Sequence, residues 1–316
     1  MMTEFGFIEA LKGLCRQLPE NGFEGIGDDC AVLPIGGEEV VVLTADLVVE
    51  RIHFLREAYT PEQVARKALQ VNLSDVASMG VRPVATLLSI ALPHQVMQSE
   101  WSERFIRAYA EESERYGVAL IGGDTTASKE DIVINVTALG RGPEGNLKRR
   151  SEARVGDVIY VGRPLGGSAA GLREILEGRE ESPAATYHKE PRAQIEEGVW
   201  LGHRREVHAM MDLSDGIASD LRHILRASGV GAEVEVAKVP LHPEASLEEA
   251  LTGGEEYALL LTADQALAQA LEEAYFEHFG APLYPIGKIV AGSEREIAWI
   301  ENGEKIEASW QGFTHF

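Results

Sequence analysis

Five stretches of the chain set aspartate beside glycine or a hydroxyl residue: Gly25-Ile26-Gly27-Asp28-Asp29, Thr44-Ala45-Asp46, Asn72-Leu73-Ser74-Asp75, Gly122-Gly123-Asp124-Thr125 and Asp212-Leu213-Ser214-Asp215-Gly216. One acidic turn carries little meaning, because Gly-Asp pairs are common in turns. Five of them, separated by well-formed hydrophobic elements, point to a shared acidic site. Carboxylates crowd together only at heavy electrostatic cost unless a cation neutralises them. Oxygen-only ligands favour a hard divalent ion, Mg2+, over zinc or copper. Mg2+ held in this way most often serves phosphate chemistry.

The motifs differ in what else they offer. Gly122 and Gly123 let backbone N–H groups approach a phosphate, and Asp124 and Thr125 follow with oxygen ligands. Asp212 and Asp215 flank a helix start, either as caps with Ser214 or beside a phosphate drawn to free N–H groups. Lys148, Arg149 and Arg150 form either a solvated basic run or a clamp on nucleotide phosphate. Glu255 and Glu256 follow Gly253-Gly254, where backbone can come close to a ligand. On residue type alone His53 is a structural or surface histidine, and Trp310 and Phe313 belong to a core. The run Gly166-Gly167-Ser168 is neither a Walker loop nor a dinucleotide fingerprint, and no protein-kinase signature set occurs. ATP chemistry in this chain therefore needs another scaffold.

The elements that must position these residues are legible from periodicity. The β-branched run 39–45 is a strand that delivers Asp46 at its exit. Thr60 caps a helix, with Pro61 in its first turn and Gln63 completing a capping box. Asn72 and Asp75 share a face of that otherwise apolar helix and need partners there. Gly80 ends it and Pro83 follows. Strands are predicted over 84–92, 118–121, 131–139 and 158–161, and helices over 98–116 and 217–228. Residues 178–191 read as a polar loop, and 252–261 as a glycine turn into a strand. Asn302-Gly303 is the turn of a closing hairpin. The stretch 141–154, rich in Gly, Pro and charge, is the best boundary. It predicts an α+β fold of two domains, 1–142 and 143–316.

Composition narrows the partners. The net charge is −22, from 51 acidic and 29 basic residues; without the seven motif aspartates it would still be −15. Most of the acidity is therefore solvated surface, and it argues against nucleic acid or an anionic membrane as partner. Two cysteines, Cys15 and Cys30, make neither a disulfide framework nor a zinc site. The first residues carry no signal-peptide pattern and no apolar run is long enough to span a bilayer, so the cytoplasm is the expected compartment.

The order and spacing of the motifs resemble the thiamine-monophosphate kinase family, within the aminoimidazole-ribonucleotide-synthetase-like superfamily. The matching stretches are GIGDDCAVL (25–33), VNLSDVASMGVRP (71–83), LIGGDTT (120–126), DLSDGIASDL (212–221), LTGGEEYALL (251–260) and WQGFTHF (310–316). The resemblance implies a two-domain α+β fold and a homodimer formed through the N-terminal domains. It implies ATP-dependent phosphorylation of thiamine monophosphate to thiamine diphosphate, the last step in making that cofactor. By the same resemblance the Mg2+ ligands are Asp29, Thr44, Asp46, Asp75, Asp124, Asp212 and Asp215. Gly123, Asp124, Arg150 and Ser214 match nucleotide contacts, and His53, Glu255 and Phe313 match contacts to thiamine monophosphate, with Phe313 stacked on a flat heteroaromatic ring. Ala45 and Ala258 depart from the family's usual residues.

Two other readings compete. A different ATP-using member of the superfamily is one, although Cys15 lacks the glycine-rich setting of a selenophosphate synthetase and the chain ends Thr314-His315-Phe316 rather than in a reactive cysteine. A non-catalytic acidic cation sensor is the other; the paired glycines beside Asp124 and Glu255 speak against it.

Overall fold

The computed structural model describes residues 4–14, 22–292 and 296–313. Cys15 and the last three residues, 314–316, lie outside them. Helix α1 (Glu4–Leu14) precedes the first sheet, built from β1 (Ala31–Gly36), β2 (Glu39–Val49), β3 (Arg82–Pro93), β4 (Ala119–Ser128) and β5 (Val133–Pro143). Its order is β1-β2-β5-β3-β4, antiparallel throughout except for the parallel β3–β4 pair at one edge. Between its strands run α2 (Pro61–Ser78), the short α3 (His94–Met97) and α4 (Glu100–Tyr116).

The second sheet takes β6 (Val158–Val161), β7 (Val207–Asp212), β8 (Gly231–Glu235), β9 (Leu259–Ala263), β10 (Tyr284–Val290), β11 (Ile297–Glu301) and β12 (Glu304–Ile306). Its order is β12-β11-β8-β10-β6-β9-β7. Helices α5 (Gly167–Leu176), α6 (Pro183–Lys189), α7 (Ile195–Gly202), α8 (Ile217–Ser228), α9 (Leu247–Thr252) and α10 (Ala268–Phe279) accompany it. Two mixed sheets with their helices are the α+β architecture that the patterning predicts.

Helix α2 is the hub. The predicted capping box is present: the Thr60 hydroxyl accepts from the Gln63 N–H at 3.2 Å, and Gln63 Oε1 accepts from the Thr60 N–H at 3.0 Å. The helix is buried on nearly every side, so its polar residues must be satisfied from within. Gln70 bonds Glu112 at 2.7 Å and the Ala193 N–H at 2.9 Å, and Asn72 accepts from the Asp46 N–H at 2.9 Å. Helix α7 from the second half packs against its end backbone to backbone. A Cβ on Gly198 would stand 2.3 Å from the Ala77 carbonyl oxygen, and one on Gly202 2.1 Å from that of Gly80. Only glycine permits that approach.

Three local expectations differ from the structure. Residues 183–189 form α6 rather than a loop, with Ser182 as cap and Pro183 in the first turn. The strand expected over 118–121 does not stop there; it continues through 122–125 as β4 to Ser128, and Gly123 (φ +148) fits because a Cβ would strike the Leu88 carbonyl oxygen at 1.8 Å. The basic stretch 148–150 is not a solvated run: Lys148 is buried with Nζ bonded to the Arg204 and Val207 carbonyls, and Arg149 pairs with Glu24 at 2.6 Å.

Candidate active site

The C-terminal part of β2, the loop before β1, one face of α2 and the loop between β7 and α8 converge on a cavity of about 850 Å³. Oxygens of Asp29, Asp75 and Asp212 lie within 4.8 Å of one another. Each has a reason to be there. Asp75 faces the sheet from α2 and accepts from the Thr44 hydroxyl at 2.5 Å. Asp212 is the last residue of β7 and accepts from the Ser74 hydroxyl at 2.5 Å. Asp29 pairs with the Arg150 guanidinium. Asp46 lies within β2, which runs on to Val49 rather than ending at residue 45 as expected, and its N–H is held by Asn72. The two polar residues of α2 that needed partners thus find them in the site.

The electrostatics follow from the crowding. Burial, and then the Asp29 charge, push Asp46 up to about 6 and Asp212 up to about 8. Asp75 stands well above the usual carboxylate range because of burial and then Asp46, Asp212 and Asp29. Asp28 rises to about 7 through burial and Asp29, although Arg150 opposes this. The Asp29 Oδ2 oxygen is buried without a hydrogen-bond partner. An acidic cage with too little positive charge and a buried oxygen lacking a donor has the donor set that a hard divalent cation fits.

Around the cage the lining changes character. Asp215 precedes α8, and its N–H and that of Gly216 both bond the buried Asp220 at 3.0 Å. The Asp215 carbonyl accepts from the Phe313 N–H at 3.0 Å, and Trp310 packs edge-on against Trp299 at 5.0 Å, so the C-terminal segment is anchored over the cavity. Ser214, His53, Glu255 and Phe313 line the wall, with Leu47, Ile52, Leu172 and Leu176 as apolar neighbours. His53 Nδ1 accepts from the Val49 N–H at 3.0 Å, which fixes its ring.

One cavity therefore gathers Asp29, Thr44, Asp46, Asp75, Arg150, Asp212, Ser214, Asp215, His53, Glu255 and Phe313. It does not reach Gly123 and Asp124. Asp46 pairs with Val136, Val136 with Leu88, and Leu88 with Gly123, so the glycine lies three strands away on the sheet edge. That is roughly 14 Å at ordinary strand spacing. Sequence reasoning missed Lys67, Ser168 and His188. Lys67 had only a faint signal: it is one of two adjacent cations, Arg66 and Lys67, on a helix that is otherwise largely apolar beyond them. Of the two departures, Ala258 is fully buried and its carbonyl accepts from the Leu213 N–H at 2.9 Å, while Ala45 pairs with Thr137 in the sheet.

Two family models match the chain: AIR synthase related protein, N-terminal domain, over residues 27–142, and its C-terminal domain over 154–300. The fold and site are those of that class. Thiamine-monophosphate kinase of Escherichia coli (strain K12) is 36% identical over 306 residues, covering 92% of this chain and 91% of that protein. The kinase of the same name from Bacillus subtilis (strain 168) is 32% identical over 336 residues, covering all of both chains. The solved structure of AaThiL complexed with AMPPCP and TMP superposes with a TM-score of 0.83 at 32% identity, over 100% of this chain and 97% of that one. The chain belongs to the thiamine-monophosphate kinase family, and it is an enzyme of the phosphotransferase class.

Proposed function

We propose that this enzyme transfers the terminal phosphoryl group of ATP to the phosphate of thiamine monophosphate, giving thiamine diphosphate and ADP, and so completes the synthesis of that cofactor. The observation that carries the reading is the joint lining of one cavity: an acidic cage with Arg150, together with Glu255, His53 and Phe313 among apolar side chains. The first suits a polyphosphate with its cations, and the second a flat, cationic heteroaromatic ring.

The acceptor is a phosphate monoester, already a nucleophile, so no residue is assigned as a general base. The obstacle is repulsion between two polyanions. Asp29, Thr44, Asp46, Asp75, Asp212 and Asp215 would hold Mg2+, which when bound neutralises phosphate charge and aligns the attacking and leaving oxygens. Arg150, tied to Asp29, would steer toward the nucleotide phosphates, and Ser214 would offer a hydroxyl to them. Phe313 would cover the thiamine ring and exclude water.

Gly123 and Asp124 are proposed to contact nucleotide from an assembled dimer. Strand β4 is a ten-residue edge exposed along most of its length, with Leu120 and Ile121 outward. A long apolar edge is a template for pairing with a second copy. A homodimer through the N-terminal halves would cover it and bring the Gly123-Asp124 pair to a composite surface. No helix among the described residues is long and apolar enough to cross a membrane.

The test is an ATP–Mg2+ assay with thiamine monophosphate, following both products by chromatography. Equimolar thiamine diphosphate and ADP support the reading. Nucleotide binding without product would sink it in favour of another ATP-dependent reaction of the class.

A further inference from the structure

Lys67 is 0% exposed, on the face of α2 that looks toward the second half of the molecule. Its ammonium lies 2.8 Å from Glu255 Oε1 and 3.0 Å from Oε2, and donates to the His53 carbonyl at 2.9 Å. The Tyr59 ring stands 5.6 Å from it on another side. Glu255 is flanked again by His188, whose Nε2 is 3.6 Å from Oε2 and whose Nδ1 is 2.8 Å from the Ser168 hydroxyl. Burial and the neighbouring Lys67 push His188 down to about 4, so its ring is neutral at ordinary pH. The ring thus stands between Ser168 at Nδ1 and Glu255 on the side of Nε2.

The backbone under this carboxylate is unusual. Glu255 has φ +60 and Tyr257 φ +51, left-handed conformations at non-glycine residues. They are held by the Glu255 N–H on the Ser214 carbonyl and the Tyr257 N–H on the Leu213 carbonyl, both at 2.7 Å. Strained backbone survives where its surroundings over-determine it, and it clusters at functional sites. A buried ion pair alone is weak support for stability. A carboxylate fixed from two elements of one half and one helix of the other, on the wall of the ligand cavity, is better explained by what it faces.

We propose that Lys67 is a positioning residue for the acceptor: with Ser168–His188 on the other flank, it holds Glu255 as an immobile carboxylate that receives the cationic ring end of thiamine monophosphate. This rests on the function proposed above. Lys67 touches no substrate; it acts through Glu255.

The experiment compares wild type, K67M, E255Q and K67M/E255Q in steady-state kinetics with both substrates varied. K67M is expected to raise the KM for thiamine monophosphate roughly tenfold or more, the size of one lost charge-assisted hydrogen bond, with the KM for ATP unchanged. The double variant is expected to match E255Q, because Lys67 has nothing left to position. A silent K67M, an equal rise in the KM for ATP, or multiplying effects in the double variant would each overturn the proposal. K67Q keeps a donor in the pocket and serves if K67M does not fold: it is expected to raise the acceptor KM severalfold, and an unchanged value overturns the proposal. A wild type without acceptor turnover would overturn the functional reading and this inference together; an active wild type with a silent K67M overturns this inference alone.

Discussion

The Ser74 hydroxyl donates to Asp212 at 2.5 Å, joining the helix at the centre of the first half to the end of a strand in the second. Asp212 is thus aimed by one half while its backbone belongs to the other. The cage exists only when the halves are packed, and its members act as a unit. Asp212→Asn and Asp46→Asn are each expected to lower kcat at saturating Mg2+ by about a hundredfold or more, with unchanged circular dichroism. Near-normal kcat in either variant would remove that residue from the ligand set.

The cage also predicts how metal-free stability depends on pH. Burial, and then the Asp29 charge, raise Asp28 to about 7, Asp46 to about 6 and Asp212 to about 8, against an ordinary 3.8. Between those limits the folded chain holds protons that the unfolded chain has released. Stability in a chelator should therefore fall as pH rises from about 4 to 8. Bound Mg2+ replaces those protons, so the gain in Tm on adding Mg2+ should widen from pH 5 to pH 8. A gap that stays constant across that range would contradict the assignment.

Much of this was readable from local chemistry. Thr60, Pro61 and Gln63 announce α2 because capping is a contact between neighbours in sequence. Gly229 stops α8 in the left-handed conformation for the same reason, and Asn302-Gly303 make the hairpin turn. What stayed hidden depends on distant partners. Residues 183–189 look polar, yet Ala184, Ala185 and His188 are buried against α5. The Gly122-Gly123 pair looks like the end of a strand, yet the Leu88 carbonyl from β3 requires a glycine inside a strand. Lys67 has its carboxylate 188 residues away. Residue type showed that a cage existed, but not that Asp124 lies outside it in a single chain.

Glycines 198 and 202 let α7 of the second half pack directly on the end of α2 in the first. Gly198→Ala forces a methyl group into the Ala77 carbonyl, a contact between two backbones that cannot yield by a side-chain rotation. The expected cost is about 1–3 kcal/mol. Chemical denaturation should show it, and an unchanged midpoint would mean that α2 and α7 slide apart freely.

Phe313 is 51% exposed at the cavity wall, an arrangement suited to a ring that arrives with substrate. Its N–H on the Asp215 carbonyl holds its backbone in place, so truncating the side chain leaves the cage intact. Phe313→Ala should cost about 1 kcal/mol of acceptor binding, roughly fivefold in KM for thiamine monophosphate. The KM for ATP and kcat at saturating acceptor should hold. A fall in kcat with no change in KM would place the ring elsewhere in the reaction.

The edge strand makes the last prediction. Ile121 is 59% exposed near the start of β4, with Leu120 beside it and Ile106 on the neighbouring α4 also outward. A charge on such an edge is the ordinary device that prevents strand pairing. Ile121→Lys should therefore shift the mass in solution from two chains to one, measured by light scattering, without lowering the folded content. Activity should fall with it, because Gly123 and Asp124 would lose the second copy through which they reach nucleotide. A variant that stays dimeric, or becomes monomeric with full activity, would separate β4 from the site and leave the Gly123-Asp124 pair with a purely structural role.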